Sequence, residues 1–140
     1  MDITRLPFNE FIGIERALPA DQLLTLPEGP QYLNHLGTVH ASAQLALAEA
    51  TSGEFLIQAL GDAGDVLPVV RRLECKFRKP AHGALASTAG VEEGALEALR
   101  MDMAAKGRAL IAVQVEVNDA MGAHVLSATV EWFITRMPDL

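Results

Sequence analysis

Between residues 34 and 49 the chain reads Asn-His-Leu-Gly-Thr-Val-His-Ala-Ser-Ala-Gln-Leu-Ala-Leu-Ala-Glu. Three features of this stretch could do chemistry together. Asn34 is a polar amide shortly ahead of a run of strong helix formers that begins at Ala41. The first turn of such a helix leaves backbone N–H groups unpaired, so those near Ala41 and Ser42 offer positive partial charge to a developing oxyanion. Glu49 is the only ionisable residue between His40 and Glu54, and it sits among Ala and Leu. A carboxylate there is costly unless a partner or a solvated site receives it. Desolvation would raise its pKa, which suits a base working near neutral pH. A structural carboxylate, held by loop N–H groups or by Ser and Thr hydroxyls, would have the same neighbours.

Geometry limits how these parts combine. Glu49 lies eight residues beyond Ala41, about 12 Å along a helix axis. One reacting carbonyl cannot touch both ends of that span. Two copies whose helices pack antiparallel about a two-fold axis bring the Glu49 of one to the helix start of the other. A homodimer with composite sites is therefore expected. The other reactive side chains form no such constellation. His35, His82 and His124 share no metal-ligand spacing with one another or with Cys75, so no metal is expected. A single cysteine excludes an intramolecular disulfide and a cysteine metal cluster. Cys75 reads as an inert strand residue, Trp132 as a core anchor, His40 as a helix cap or loop brace, and residues 119–122 as a turn only.

These groups need a scaffold. At 140 residues the chain is one domain's worth of sequence. Half of it is hydrophobic and 21% is charged, which argues against disorder. No apolar run approaches the ~18 residues of a membrane span. Residues 1–5 carry an acid and lead into no apolar stretch, unlike a secretory signal. A formal charge of -7 argues against binding a phosphate backbone. The expectation is one cytoplasmic domain over residues 1–140, with neither membrane nor nucleic acid as partner and no cofactor.

Prolines at 7, 19, 27 and 30 divide the start into a short helix (8–17), a short strand (22–26) and a turn at 28–30. Residues 31–40 read as a loop. Residues 41–60 read as a long helix, apolar nearly all round and so buried, ended by residues 61–65. Alternation marks a strand over 66–78, with Leu67, Val69, Leu73, Cys75 and Phe77 on one face and Arg71 interrupting it. A turn at 80–83 and a strand at 84–91 follow. Residues 92–106 read as a helix, with Leu96, Leu99 and Met103 at helical spacing and Gly107 as its cap. Strands at 110–118 and 124–135 turn Ile111, Val113, Val115 and Val117, then Leu126, Ala128, Val130, Trp132 and Ile134, to the buried side. Two half-buried hairpins shield a long apolar helix only by curving round it, so an α+β layout with a sheet wrapped about a central helix is expected.

The 34–49 stretch resembles the signature of hotdog-fold acyl-CoA thioesterases of the PaaI-like type. In that family an Asn, a Gly-Thr-x-His-Gly-Gly turn and an Asp or Glu on the central helix recur at these spacings. Here Asn34 precedes His40 by six residues and Glu49 follows it by nine. Residues 77–83, Phe-Arg-Lys-Pro-Ala-His-Gly, are similar to the family's strand-ending Pro-Ala-x-x-Gly turn. The element order corresponds over roughly residues 8–135. The resemblance implies a hotdog fold, hydrolysis of an acyl-CoA, and a dimer or tetramer. It makes Glu49 the general base or nucleophile and the Ala41 N–H the oxyanion donor. It has Asn34 position water or carbonyl, puts His40 in the catalytic turn, and sets Gly37 and Ser42 against substrate. Lys76, Arg78, Lys79, Lys106 and Arg108 would meet the CoA phosphates.

Three departures stand against the family pattern. His40-Ala41-Ser42 replaces His-Gly-Gly, residues 92–106 look helical where minimal members connect tightly, and Val69 and Val70 stand where some members carry a polar residue. The alternative is a hotdog module that binds an acyl-CoA or another apolar ligand without catalysis, Glu49 then being structural or ligand-orienting. The Asp-His and His-Phe-Pro signatures of hotdog dehydratases and hydratases are absent.

Overall fold

The alanine- and leucine-rich run Ala41–Leu60 forms one helix, α2, in the computed structural model, which describes residues 1–61 and 65–138. His40 starts it: its backbone is extended and its ring Nδ1 accepts the Ser42 N–H at 2.9 Å. The Gly61 N–H reaches the Ile57 carbonyl at 3.0 Å and closes it. Residues 62–64 of the expected ending turn lie outside the described residues. No described helix is long and apolar enough to cross a membrane.

Six antiparallel strands curve round α2: β1 (Glu15–Arg16), β2 (Leu24–Leu26), β3 (Val66–Phe77), β4 (Leu85–Gly90), β5 (Arg108–Asp119) and β6 (His124–Arg136), in the spatial order β1-β2-β4-β5-β6-β3. The period of two in β5 and β6 turns Val113, Val115, Val117, Leu126, Val130 and Ile134 inward, fully buried, as their alternation predicts. Leu47, Ala48 and Leu56 of α2 meet them. Two hydroxyls tie helix to sheet: Thr51 bonds Ser87 of β4 at 2.6 Å, and Ser52 accepts from the Trp132 indole of β6 at 2.9 Å. Trp132 is thus the anchor its position implied.

Four expectations need correction. The helix expected over 8–17 is α1, Pro7–Ile12, and stops at Gly13, which takes φ +93. A Cβ there would lie 2.6 Å from the Tyr32 hydroxyl oxygen, so the turn demands glycine and frees Glu15–Arg16 to pair with β2. In β3 the register shifts between Val70 and Arg72, so Arg71 is a bulge. An inserted residue flips the faces, so Leu67 and Val69 face out with Thr135 and Phe133 of β6. Leu73, Cys75 and Phe77 face in with Val130, Ala128 and Leu126. The helix expected at 92–106 is α3 (Ala95–Lys106), because Gly94 takes φ +82 ahead of it. Finally, α2 is not buried all round. Ala41 and Ser42 are exposed, and Leu45, Ala46 and Glu49 only half-buried.

Candidate functional site

The loop before α2 is built by Asn34. Its Oδ1 accepts the N–H groups of Leu36 (2.9 Å) and Thr38 (3.1 Å), and its Nδ2 donates to the Thr38 hydroxyl at 2.9 Å. An Asn side chain mimicking a backbone turn in this way fixes a tight loop. Gly37 sits in it at φ +76, exposed. Asn34 therefore shapes the loop, with one Nδ2 hydrogen left to reach outward. The loop is moored by the His40 N–H to the Tyr32 carbonyl (2.7 Å) and the Val39 N–H to the Ala81 carbonyl (2.9 Å), which ties it to the 80–83 turn.

At the helix start, the His40 ring takes the Ser42 N–H. Among the described residues the neighbouring Ala41 N–H donates to no acceptor, and it is exposed. One unpaired donor at the positive end of α2 is what an oxyanion needs.

Glu49 stands two turns further on. Positions 42, 45, 46 and 49 share one helical face by their spacing of three and four, and these are the residues that the sheet leaves uncovered. Among the described residues the Glu49 carboxylate accepts no hydrogen bond, and burial pushes it above the usual carboxylate range. The structural-carboxylate alternative required loop N–H or hydroxyl partners, and none of the described residues supplies one. The Ser52 hydroxyl, three residues on, instead donates to the Glu49 backbone carbonyl at 2.7 Å. Within one chain Glu49 and Ala41 remain about 12 Å apart along the axis.

The basic residues fall into two groups. Lys76 stands on the outer face of β3 beside Ser127, and Lys79 is exposed in the following turn. Arg78 donates from Nε to the Ser127 hydroxyl at 2.8 Å, and that hydroxyl also bonds Glu116, which pairs with His124. A carboxylate therefore partly cancels the charge of Arg78. Lys106 pairs with Asp102 at 3.5 Å at the end of α3, and Arg108 stands opposite Thr135 of β6. Ser127 and Thr135 are eight residues apart on β6, about 27 Å along a strand. One chain does not bring the two basic groups to a single ligand.

Sequence reasoning missed three polar features. Glu54 is buried against Arg16, which also reaches Asp2 at 3.0 Å. Asp119 does more than turn a hairpin: it accepts the N–H groups of Met121 and Ala123 at 3.0 Å and that of His82 at 3.1 Å. Burial raises its carboxyl, but these N–H groups outweigh that and hold it below the usual range. Gln44 is buried and donates to the Val39 carbonyl at 3.0 Å, bracing the loop from inside. Beside the loop lies a cavity of about 590 Å³, walled by Leu26, Tyr32, Leu33 and Val39 with Glu28 and His82 also lining it.

A curved antiparallel sheet around one long helix, with a tight turn at the helix start, defines the hotdog class of α+β proteins. The chain belongs to the family described as "Domain of unknown function (DUF4442)", whose profile matches residues 12–134. No curated protein matches it. Among solved structures it is similar to a protein of unknown function, a probable thioesterase, from Pseudomonas aeruginosa (23% identity, 96% of this chain and 91% of that one, TM-score 0.79). It is also similar to a thioesterase from Haemophilus influenzae (16% identity, 98% and 88%, TM-score 0.73). A third is a hypothetical thioesterase with coenzyme A from Streptococcus pneumoniae (18% identity, 91% and 89%, TM-score 0.64). At such identities the likeness establishes the fold.

Proposed function

We propose that the protein is an acyl-CoA thioesterase that works as a homodimer, each site combining the helix start of one chain with the Glu49 of the other. The observation that carries this is a half-buried carboxylate without a partner among the described residues, on the uncovered strip of a helix whose first N–H is also free among them. The PaaI-like spacing of Asn34, His40 and Glu49 supports the same reading, as do thioesterase neighbours of the same fold. The strip carries small residues at Ser42 and Ala46, which allow a second helix to approach closely. Among the described residues the outer edge of β3 is unpaired over twelve residues, and Leu67, Val69, Val70 and Phe77 along it are exposed from one face or the other, the kind of edge that a second sheet completes.

In this arrangement the Ala41 N–H holds the thioester oxygen, and Asn34 fixes the loop that aims it. The partner's Glu49 takes a proton from water as the water oxygen bonds to the carbonyl carbon. The tetrahedral oxyanion collapses, the C–S bond breaks, and the CoA sulfur leaves with the proton. The products are CoA thiol and a carboxylic acid, which gives its remaining proton to solvent and leaves as the carboxylate. Lys76 and Lys79, which take no ion pair among the described residues, are the better phosphate contacts of the basic set.

Hydrolysis of a panel of short, medium, long and aromatic acyl-CoAs, followed by thiol release, tests the reading. Turnover of none of them overturns it. The second reading, an acyl-CoA-binding module without catalysis, draws on two observations: Ala41 and Ser42 carry side chains where the PaaI-like pattern has glycines, and His40 consumes one of the turn's two N–H donors. Binding of acyl-CoA without thiol release would select that reading.

A further inference from the structure

The cavity beside the catalytic turn has no role in the chemistry above. It occupies about 590 Å³ between the 26–39 segment and the 80–83 turn, within the range of small-molecule sites. Its lining is as polar as it is apolar: Leu26, Tyr32, Leu33 and Val39 form the apolar part, and the Glu28 and His82 side chains with the backbone at Gly37 stand among the polar groups. The Tyr32 hydroxyl already donates to the Ile12 carbonyl, so the ring contributes its apolar body. Val39 precedes Ala41 by two residues, which places the cavity wall within about 7 Å of the oxyanion donor. The anchoring of Val39 to Ala81 and of His82 to Asp119 holds both walls in place without a ligand.

We infer that this cavity receives the acyl group, and that Glu28 restricts it to acyl groups without a terminal negative charge. The inference rests on the thioesterase reading for its substrate, and deepens it by naming the class: uncharged aliphatic or aromatic acyl chains, not ω-carboxyacyl chains. Glu28 pairs with no cation among the described residues, so its charge is reduced only by solvent, to which it is exposed. The Lys76 and Lys79 group that suits phosphates does not line the cavity, which separates the acyl end of the substrate from its nucleotide end.

The test uses the neutral fluorophore N-phenyl-1-naphthylamine, whose emission rises in apolar surroundings, and so does not depend on turnover. Saturable emission is expected, displaced by octanamide and about fivefold less well by octanedioate, a factor set by Glu28 and the nearer of the two carboxylates at about 4 Å in water. Glu28→Gln should improve octanedioate about fivefold relative to octanamide. Leu33→Trp, at a half-exposed position that tolerates bulk, should lower probe affinity at least tenfold. The inference is overturned if emission does not saturate, if Leu33→Trp leaves it unchanged, if octanedioate competes as well as octanamide with the wild type, or if CoA alone displaces the probe. Probe binding without thiol release keeps the cavity and removes the hydrolase; thiol release without probe binding does the reverse.

Discussion

Replacing Glu49 by Gln keeps the shape of the side chain and removes its charge, so it separates two demands on one residue. The carboxylate accepts no hydrogen bond among the described residues, so its strength as a base comes from desolvation alone. A positioned general base contributes on the order of 10²- to 10⁴-fold. A half-buried group that nothing in its own chain orients belongs at the low end, so thiol release should fall about 10²-fold, or about 2.7 kcal/mol of transition-state stabilisation. Stability should move the other way. Burial raises the folded-state pKa of Glu49 above its unfolded value. The folded chain therefore holds the proton more tightly, and the stability this confers is full below the unfolded value and lost as pH rises through the folded one. At pH 7 the wild type bears the cost of an ionised, unpartnered carboxylate, and Glu49→Gln does not. The variant should melt at a higher temperature at pH 7, with the gain closing as pH falls toward ~4. In the wild type, kcat/KM should rise with pH along a limb displaced above the usual carboxylate range, and the variant should lack that limb. Thermal melts from pH 4 to 8 alongside thiol release read all three. A variant as active as the wild type refutes the assignment, and one less stable at pH 7 would mean that the partner's helix start stabilises the ionised carboxylate by more than burial penalises it.

Ala46→Arg puts a long cation on the uncovered strip of α2. It should convert dimer to monomer in light-scattering chromatography and abolish thiol release with it, and an active monomer would dismiss the composite site. Asp119→Ala strips acceptors from three N–H groups and should cost roughly 3 kcal/mol in urea denaturation. The contribution of Asp119 should be present above its unfolded value and lost as pH falls through the depressed folded one; an unchanged midpoint would show that the hairpin holds its own shape. Arg16→Leu leaves the Glu54 carboxylate, which is 3% exposed, with the Gln58 amide as its one donor among the described residues, and should cost about 2–3 kcal/mol, less than a fully buried pair because Arg16 is itself 47% exposed. Adding Glu54→Leu should recover most of that loss, and a neutral single variant would mean that Glu54 finds other compensation.

What the sequence made legible follows from range. Helix α2 declares itself by its run of strong helix formers, and the buried faces of β5 and β6 by an alternation that burial on one face imposes within a dozen residues. The bulge at Arg71 is not periodic. Its effect, turning Leu67 and Val69 outward, becomes visible only once β6 supplies the register. The Gly13 turn depends on Tyr32, the Arg16–Glu54 pair spans 38 residues, and Asp119 reaches back 37 to His82. Each is decided by where the chain returns to itself, which no local pattern encodes. The candidate site divides along the same line. Asn34, His40, Ala41 and Glu49 lie on one loop and one helix, so their order and spacing can be read directly. The rise of the helix, about 1.5 Å per residue, then forbids Glu49 from serving its own helix start. A catalytic reading of these residues is therefore also a claim about a second chain, and the uncovered strip from Ser42 to Glu49 is where that chain has to lie.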